Sequence, residues 1–167
     1  FPVCLLQGVT SSGKTEVYIK LIEKEIQKGK QVLYLLPEIA LTTQLIQRLQ
    51  GYFEDEVLVY HSKYSVNERV EVYRHVLNNS KGKIVIGARS SIFLPFQNLG
   101  LVVVDESHES SFKQFDPSPR YHARDTAIVL ASFFKAKTLL GTATPSLESF
   151  YNVKQEKYAF AKLTRRF

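Results

Sequence analysis

The chain has 167 residues, 44% hydrophobic and 23% charged, which is the composition of one globular domain with its own core and excludes a disordered or fibrous chain. Its 22 Lys and Arg against 16 Asp and Glu give a formal charge of +6, which suits a polyanion such as nucleic acid without requiring one. The single cysteine, Cys4, excludes an internal disulfide and a zinc-thiolate set, and no apolar run is long enough to cross a membrane.

Short apolar runs alternate with amphipathic stretches along the chain. The runs 3–6, 32–36, 57–60, 84–87, 101–105 and 138–141 predict buried parallel strands. Helical periodicity predicts helices over 16–28, 39–50, 66–77, 125–134 and 147–153. Such alternation implies right-handed crossovers and an α/β fold, a parallel sheet with helices on both faces. Residues 109–123 resist this scheme, being polar, aromatic and interrupted by Pro117 and Pro119. The start on Phe1-Pro2 and the end on Arg165-Arg166-Phe167 read as cut, so a domain from a larger protein is expected.

The first strand runs into Gly8, Val9, Thr10, Ser11, Ser12, Gly13, Lys14 and Thr15, which fit G-x-x-x-x-G-K-[ST] between a strand and a helix. In such a P-loop, backbone N–H groups and the positive end of the helix cradle phosphates. Lys14 is expected to reach the β- and γ-phosphates of ATP, and the Thr15 hydroxyl to ligate Mg²⁺.

The fifth run ends in Asp105-Glu106-Ser107-His108. Ligands gather at strand tips in open α/β sheets. Asp105 is the expected Mg²⁺ carboxylate, and Glu106 the residue that orients the attacking water. Lys14, Asp105 and Glu106 form the expected catalytic set. The D-E-x-H spacing is a form found in many superfamily 2 helicases. The sixth run leads into Gly141-Thr142-Ala143-Thr144-Pro145, similar to helicase motif III. The hydroxyls of Thr142 and Thr144 are expected to bond His108 or Asp105 and couple nucleotide state to DNA.

Three segments read as DNA contacts. Pro37, Thr42 and Thr43 begin where the second strand ends and resemble motif Ia, although they suit a strand-to-helix entry equally well. Arg89 follows Gly87 in a segment resembling motif Ib, where it would pair with phosphate. Phe112, Lys113, Phe115, Arg120, Tyr121 and His122, with Arg124, mix flat aromatic surfaces and cations as in a single-strand stacking platform. The same composition suits a loop whose aromatics tuck beneath the sheet.

Gly8–Tyr18, residues 36–42, 87–93 and 105–108, Tyr121-His122-Ala123-Arg124-Asp125, residues 141–149 and Leu163-Thr164-Arg165-Arg166 together resemble the PriA family of replication-restart helicases. The resemblance covers essentially the whole chain. It implies the first RecA-like P-loop NTPase lobe of a bacterial 3′-to-5′ DNA helicase that acts on forked and single-stranded DNA. It also implies ATP and Mg²⁺, primosome proteins and single-strand binding protein as partners, and a cytoplasmic place at the nucleoid. A second RecA-like lobe, an N-terminal DNA-binding region and zinc-binding cysteines belong to full-length relatives and not to this chain. The lobe is expected over 1–157, with 158–167 starting the connection to the second lobe. An arginine finger from that second lobe is expected, so the lobe alone should hydrolyse ATP very poorly. Ser12 and Ser107 depart from the family pattern, which usually has Gly and often Glu there. Two rivals remain open: another superfamily 2 translocase, such as a restriction-enzyme motor subunit, and a nucleotide-binding scaffold without catalysis.

Overall fold

The runs that are apolar at every position become the central strands. Strands β1 (Val3–Gly8), β2 (Gln31–Leu35), β3 (Val57–Tyr60), β4 (Ile84–Gly87), β5 (Leu99–Val104), β6 (Lys137–Thr142) and β7 (Ala159–Leu163) alternate with helices. The helices are α1 (Lys14–Gln27), α2 (Thr43–Phe53), α3 (Val66–Asn78), α4 (Ala123–Phe133) and α5 (Leu147–Lys154). The computed structural model describes residues 2–78 and 83–164. Its seven-stranded sheet has the order β3-β4-β2-β5-β6-β1-β7, with every pairing parallel. Strands β2, β4 and β5 are buried at every residue. Helices cover both faces of such a sheet, so its strands need no polar alternation.

One face packs Tyr18, Ile19 and Ile22 of α1 and Leu49 and Phe53 of α2 against Val32, Tyr34, Ile86 and Val103. The other packs Val72 and Val76 of α3 and Ala123, Ala127 and Ala131 of α4 against Leu33, Val85, Val102 and Leu140. The register sets Leu35 beside Val104, Val104 beside Leu140, and Gln7 beside Thr142. The segments that follow β1, β2, β5 and β6 therefore leave the sheet along one carboxyl edge. That edge is where an open α/β sheet binds ligands.

The structure shifts several expected boundaries. Residues 39–50 were expected as one helix. Instead a 3₁₀ turn at Glu38–Ala40 comes first, and α2 starts afresh at Thr43. Thr42 Oγ1 accepts the N–H of Leu45 at 3.3 Å, so the threonine caps the helix and sets its start. Within the expected connection at 158–167, Ala159–Leu163 form β7, which extends the sheet by pairing Leu5 with Phe160 and Leu6 with Ala161. Arg165, Arg166 and Phe167 lie outside the described residues.

The insert between β5 and α4 is ordered by its own polar groups. A 3₁₀ turn at Ser110–Phe112 is followed by an antiparallel bridge between Lys113 and His122. The Gln114 N–H donates to the Tyr121 carbonyl at 2.8 Å, and Gln114 Nε2 donates to the carbonyls of Pro117 and Pro119. No helix among the described residues is long and apolar enough to cross a membrane.

Candidate functional site

The loop after β1 turns back on itself and enters α1 through Gly13, whose φ of 87° lies in the left-handed region that glycine adopts without strain. No side chain caps this helix start. Its first-turn N–H groups have no intrahelical partners and face the cleft for an anion to accept them. Lys14 is buried, and its Nζ donates to the carbonyls of Gly8 at 2.7 Å and Val9 at 3.3 Å, so the ammonium is held inside the loop. Ser12, which departs from the family pattern, is buried too, and its Oγ has no hydrogen-bond partner. The Ser12 N–H closes a turn onto the Val9 carbonyl at 3.1 Å.

Across the cleft stand the acids that follow β5. Residues 10–16, Arg48, Asp105 and Glu106 line a cleft of about 340 Å³. The structure therefore brings the expected phosphate loop and both expected carboxylates to one place. Glu106 sits at φ 48°, a strained position for a side chain with a Cβ. Burial and then the Asp105 carboxylate push its pKa up, against the pull of Lys14 and His108. A poised carboxyl of this kind suits proton transfer from water.

Asp105 is held from beneath. Tyr18 OH donates to Oδ1 at 2.8 Å, Tyr34 OH donates to Oδ2 at 3.2 Å, and the Glu106 N–H donates to Oδ1 at 3.0 Å. Burial, followed by the Asp105 charge, pushes both phenols well above their usual range, so both stay protonated donors.

The residues fit a nucleotide with a divalent cation. The uncapped amides and Lys14 suit phosphate oxygens, and the Thr15 hydroxyl and Asp105 carboxylate are hard oxygen donors suited to Mg²⁺. Arg48, which no motif of the sequence marks, reaches the cleft from α2 and pairs with Glu16. It belongs to no phosphate motif, and its position depends on how α2 packs beside α1.

The expected coupling residues meet. His108 Nδ1 lies 2.7 Å from Thr142 Oγ1, and the Thr144 N–H donates to that same oxygen at 3.1 Å. His108 Nδ1 is 3.7 Å from Glu106 Oε2, and Nε2 is 3.6 Å from Glu109 Oε1. The buried Ser107 donates its N–H to the Gly141 carbonyl at 2.9 Å, tying the acid segment to β6.

The expected DNA contacts divide. Phe112 is only 1% exposed and packs with the core cluster of β5 and α4, so it offers no face to a base. Pro37 is buried as well, and its carbonyl accepts the Ala40 N–H; only Thr42 and Thr43 of that group face solvent. Arg89 donates to the carbonyls of Ser111 at 3.3 Å and Lys113 at 3.0 Å, so it ties down the aromatic insert. Phe115 is 64% exposed, with Lys113 Nζ 4.7 Å from its ring centre. Arg120 is exposed, half-buried His122 bridges to Lys113, and Tyr121 stands beside it. The His122 imidazole has its pKa lowered by burial and then by Arg124. Phe93, missed in the sequence, is 57% exposed and meets Tyr121 edge-on at 5.1 Å.

The family model described as DEAD/DEAH box helicase matches residues 3–153. The replication restart protein PriA of Rickettsia typhi is 50% identical over 163 residues, covering 98% of this chain and 25% of the relative. The PriA of Haemophilus influenzae is 49% identical over 166 residues, with 99% and 22% covered, and that of Bacillus subtilis 45% over 164 residues, with 98% and 20% covered. The chain thus spans a quarter or less of the length of these relatives.

Among solved structures, RecG bound to a three-way DNA junction gives a TM-score of 0.66 at 22% identity, over 96% of this chain and 21% of that one. The helicase MrfA bound to DNA gives 0.67 at 17% identity, over 99% of this chain and 25% of that one. At such identities the likeness carries the RecA-like fold alone. The family match runs from β1 into α5 and takes in the loop, the acids and the His108–Thr142 contact, and the chain belongs to the DEAD/DEAH box helicase family.

Proposed function

We propose that this chain is the ATP-binding motor lobe of a 3′-to-5′ DNA helicase that acts at stalled forks in replication restart. The observation that carries this reading is one cleft that joins Lys14, Asp105 and Glu106 and leads through His108 to Thr142. Identity of 45–50% to replication restart proteins over nearly the whole chain supports the choice of pathway.

Lys14 and the amides at the start of α1 bind the phosphates of ATP. Thr15 and Asp105 hold Mg²⁺, which when bound neutralises charge on the transferring phosphoryl group. Glu106 orients the attacking water and accepts its proton, which carries typically 10²–10⁴-fold in rate. His108 and Thr142 sense the state of Glu106 and pass it to β6 and the segment beyond. Phe93, Phe115, Tyr121 and Lys113 offer stacking faces and charge to a single strand, without reading sequence.

The lobe spans residues 1–163 in this reading, and a second RecA-like lobe completes the site with an arginine finger. Single-stranded and forked DNA, primosome proteins and single-strand binding protein are the proposed partners, in the bacterial cytoplasm at the nucleoid. Zinc is left to other parts of the longer relatives, since Cys4 is the sole thiol here. Unwinding of a forked duplex by the full-length protein tests the reading. ATP-dependent strand separation that is lost in Lys14→Ala is expected. ATP-driven movement along duplex without strand separation would overturn it in favour of a translocase.

A further inference from the structure

The support beneath Asp105 is assembled from three separate elements. Tyr18 comes from α1, Tyr34 from β2, and the space for the Tyr18 hydroxyl from Gly141 on β6. Both rings are fully buried and meet edge-on, with centres 5.6 Å apart and planes at 78°. Both hydroxyls end on the same carboxylate, one on each oxygen. A Cβ at position 141 would fall 1.7 Å from the Tyr18 hydroxyl oxygen and 3.2 Å from Asp105 Oδ1. Only glycine leaves that hydroxyl its place.

A carboxylate offers about four lone-pair directions over its two oxygens. Three donors, Tyr18 OH, Tyr34 OH and the Glu106 N–H, reach Asp105. A donor on each oxygen fixes the plane of the group, which a single hydrogen bond would leave free to turn. A buried phenol needs one acceptor. Phenylalanine would fill either ring volume without needing any. Two tyrosines converging on one acid is therefore more than burial demands.

We propose that Tyr18 and Tyr34 are positioning residues that set the orientation of Asp105 toward the Mg²⁺ of the bound nucleotide. The proposal rests on the reading of Asp105 as the carboxylate that holds that ion. Partners that orient a metal-holding carboxylate typically carry 10–100-fold in metal affinity or activity. The two hydroxyls act through Asp105 and do not touch the nucleotide.

The test uses the full-length protein with Tyr18→Phe, Tyr34→Phe, the double variant and Asp105→Asn. Binding of a fluorescent non-hydrolysable ATP analogue is followed across a Mg²⁺ titration, so that no turnover is needed. Thermal unfolding without nucleotide is measured alongside. The expected result is an unchanged affinity for the metal-free analogue, a Mg²⁺ midpoint about 10-fold higher in Tyr34→Phe, which leaves Oδ2 without a donor, a smaller rise in Tyr18→Phe, where the Glu106 N–H still holds Oδ1, and a further rise in the double. Turnover lost at low Mg²⁺ should return at high Mg²⁺. Lower unfolding temperatures with an unchanged Mg²⁺ midpoint would overturn the proposal, leaving the hydroxyls as core groups only. If Asp105→Asn shifts the midpoint and the tyrosine variants do not, only the proposal falls. If Asp105→Asn does not shift it either, the reading of Asp105 falls and takes the proposal with it. Should Tyr18→Phe fail to fold, Tyr34→Phe carries the same test, since its hydroxyl meets the other oxygen.

Discussion

His108 Nδ1 and Thr142 Oγ1 lie 2.7 Å apart and join the acid segment after β5 to the end of β6. Thr142 is fully buried and also accepts the Thr144 N–H, so its hydroxyl links the two segments. Replacing it by valine keeps the shape and removes the link. We predict that Thr142→Val in the full-length protein reduces DNA stimulation of ATP turnover more than it weakens nucleotide binding. Steady-state turnover with and without single-stranded DNA, beside nucleotide affinity, checks this. Equal stimulation in variant and parent would contradict it.

The aromatic insert makes two opposite predictions. Phe112 is buried among β5 and α4 side chains, so Phe112→Ala should lower stability by about 3–5 kcal/mol. Phe93 and Phe115 face solvent, so their alanine variants should keep the parent melting temperature. They should instead lose single-strand affinity, by about 1–3 kcal/mol for each stacked base. Thermal melts paired with DNA titrations separate the two classes.

Arg89 ties the insert through two carbonyls, those of Ser111 and Lys113. Both bonds leave from the terminal Nη1, one atom beyond the reach of a lysine ammonium. Arg89→Lys should therefore loosen residues 109–115, seen as faster amide exchange there, while exchange in α1 stays unchanged. Unaltered exchange in the insert would mean that the guanidinium is free to serve a phosphate directly.

Glu106 has its pKa raised, first by burial and then by the Asp105 charge. A base acts only when deprotonated. A raised pKa means that protons re-occupy it at a higher pH than they would a solvated glutamate. The acid limb of the turnover profile should thus sit above the usual glutamate range. Glu106→Gln should lower turnover about 10²–10⁴-fold while ATP still binds. A parent profile flat down to the ordinary carboxylate range would remove Glu106 from the base role.

That the loop after β1 and the acids after β5 line one cleft, and that His108 meets Thr142, was legible in the sequence because the motifs that mark these segments are local. A run such as residues 101–105, apolar until its acidic end, reads as a buried strand tip from its own residues. What escaped depended on distant partners. Phe112 and Phe115 look alike in sequence; only the packing of the 3₁₀ turn against α4 sends one inward. Tyr18, Tyr34 and Gly141 form one support from three positions far apart in the chain. Strand β7 carries Ala159, Phe160, Ala161, Lys162 and Leu163, too weak an apolar run for an edge strand to announce itself. Thr42 did carry a signal, since threonine is a favoured helix cap, and it marks where α2 begins.

The central claim is a DNA-coupled motor built on this cleft. ATP turnover of this lobe joined to its native C-terminal lobe, with and without forked DNA, tests it most directly. Strong stimulation by forked DNA that disappears in Lys14→Ala is the predicted result. Turnover indifferent to DNA would contradict the claim, leaving a nucleotide-binding cleft without the coupling assigned to His108 and Thr142.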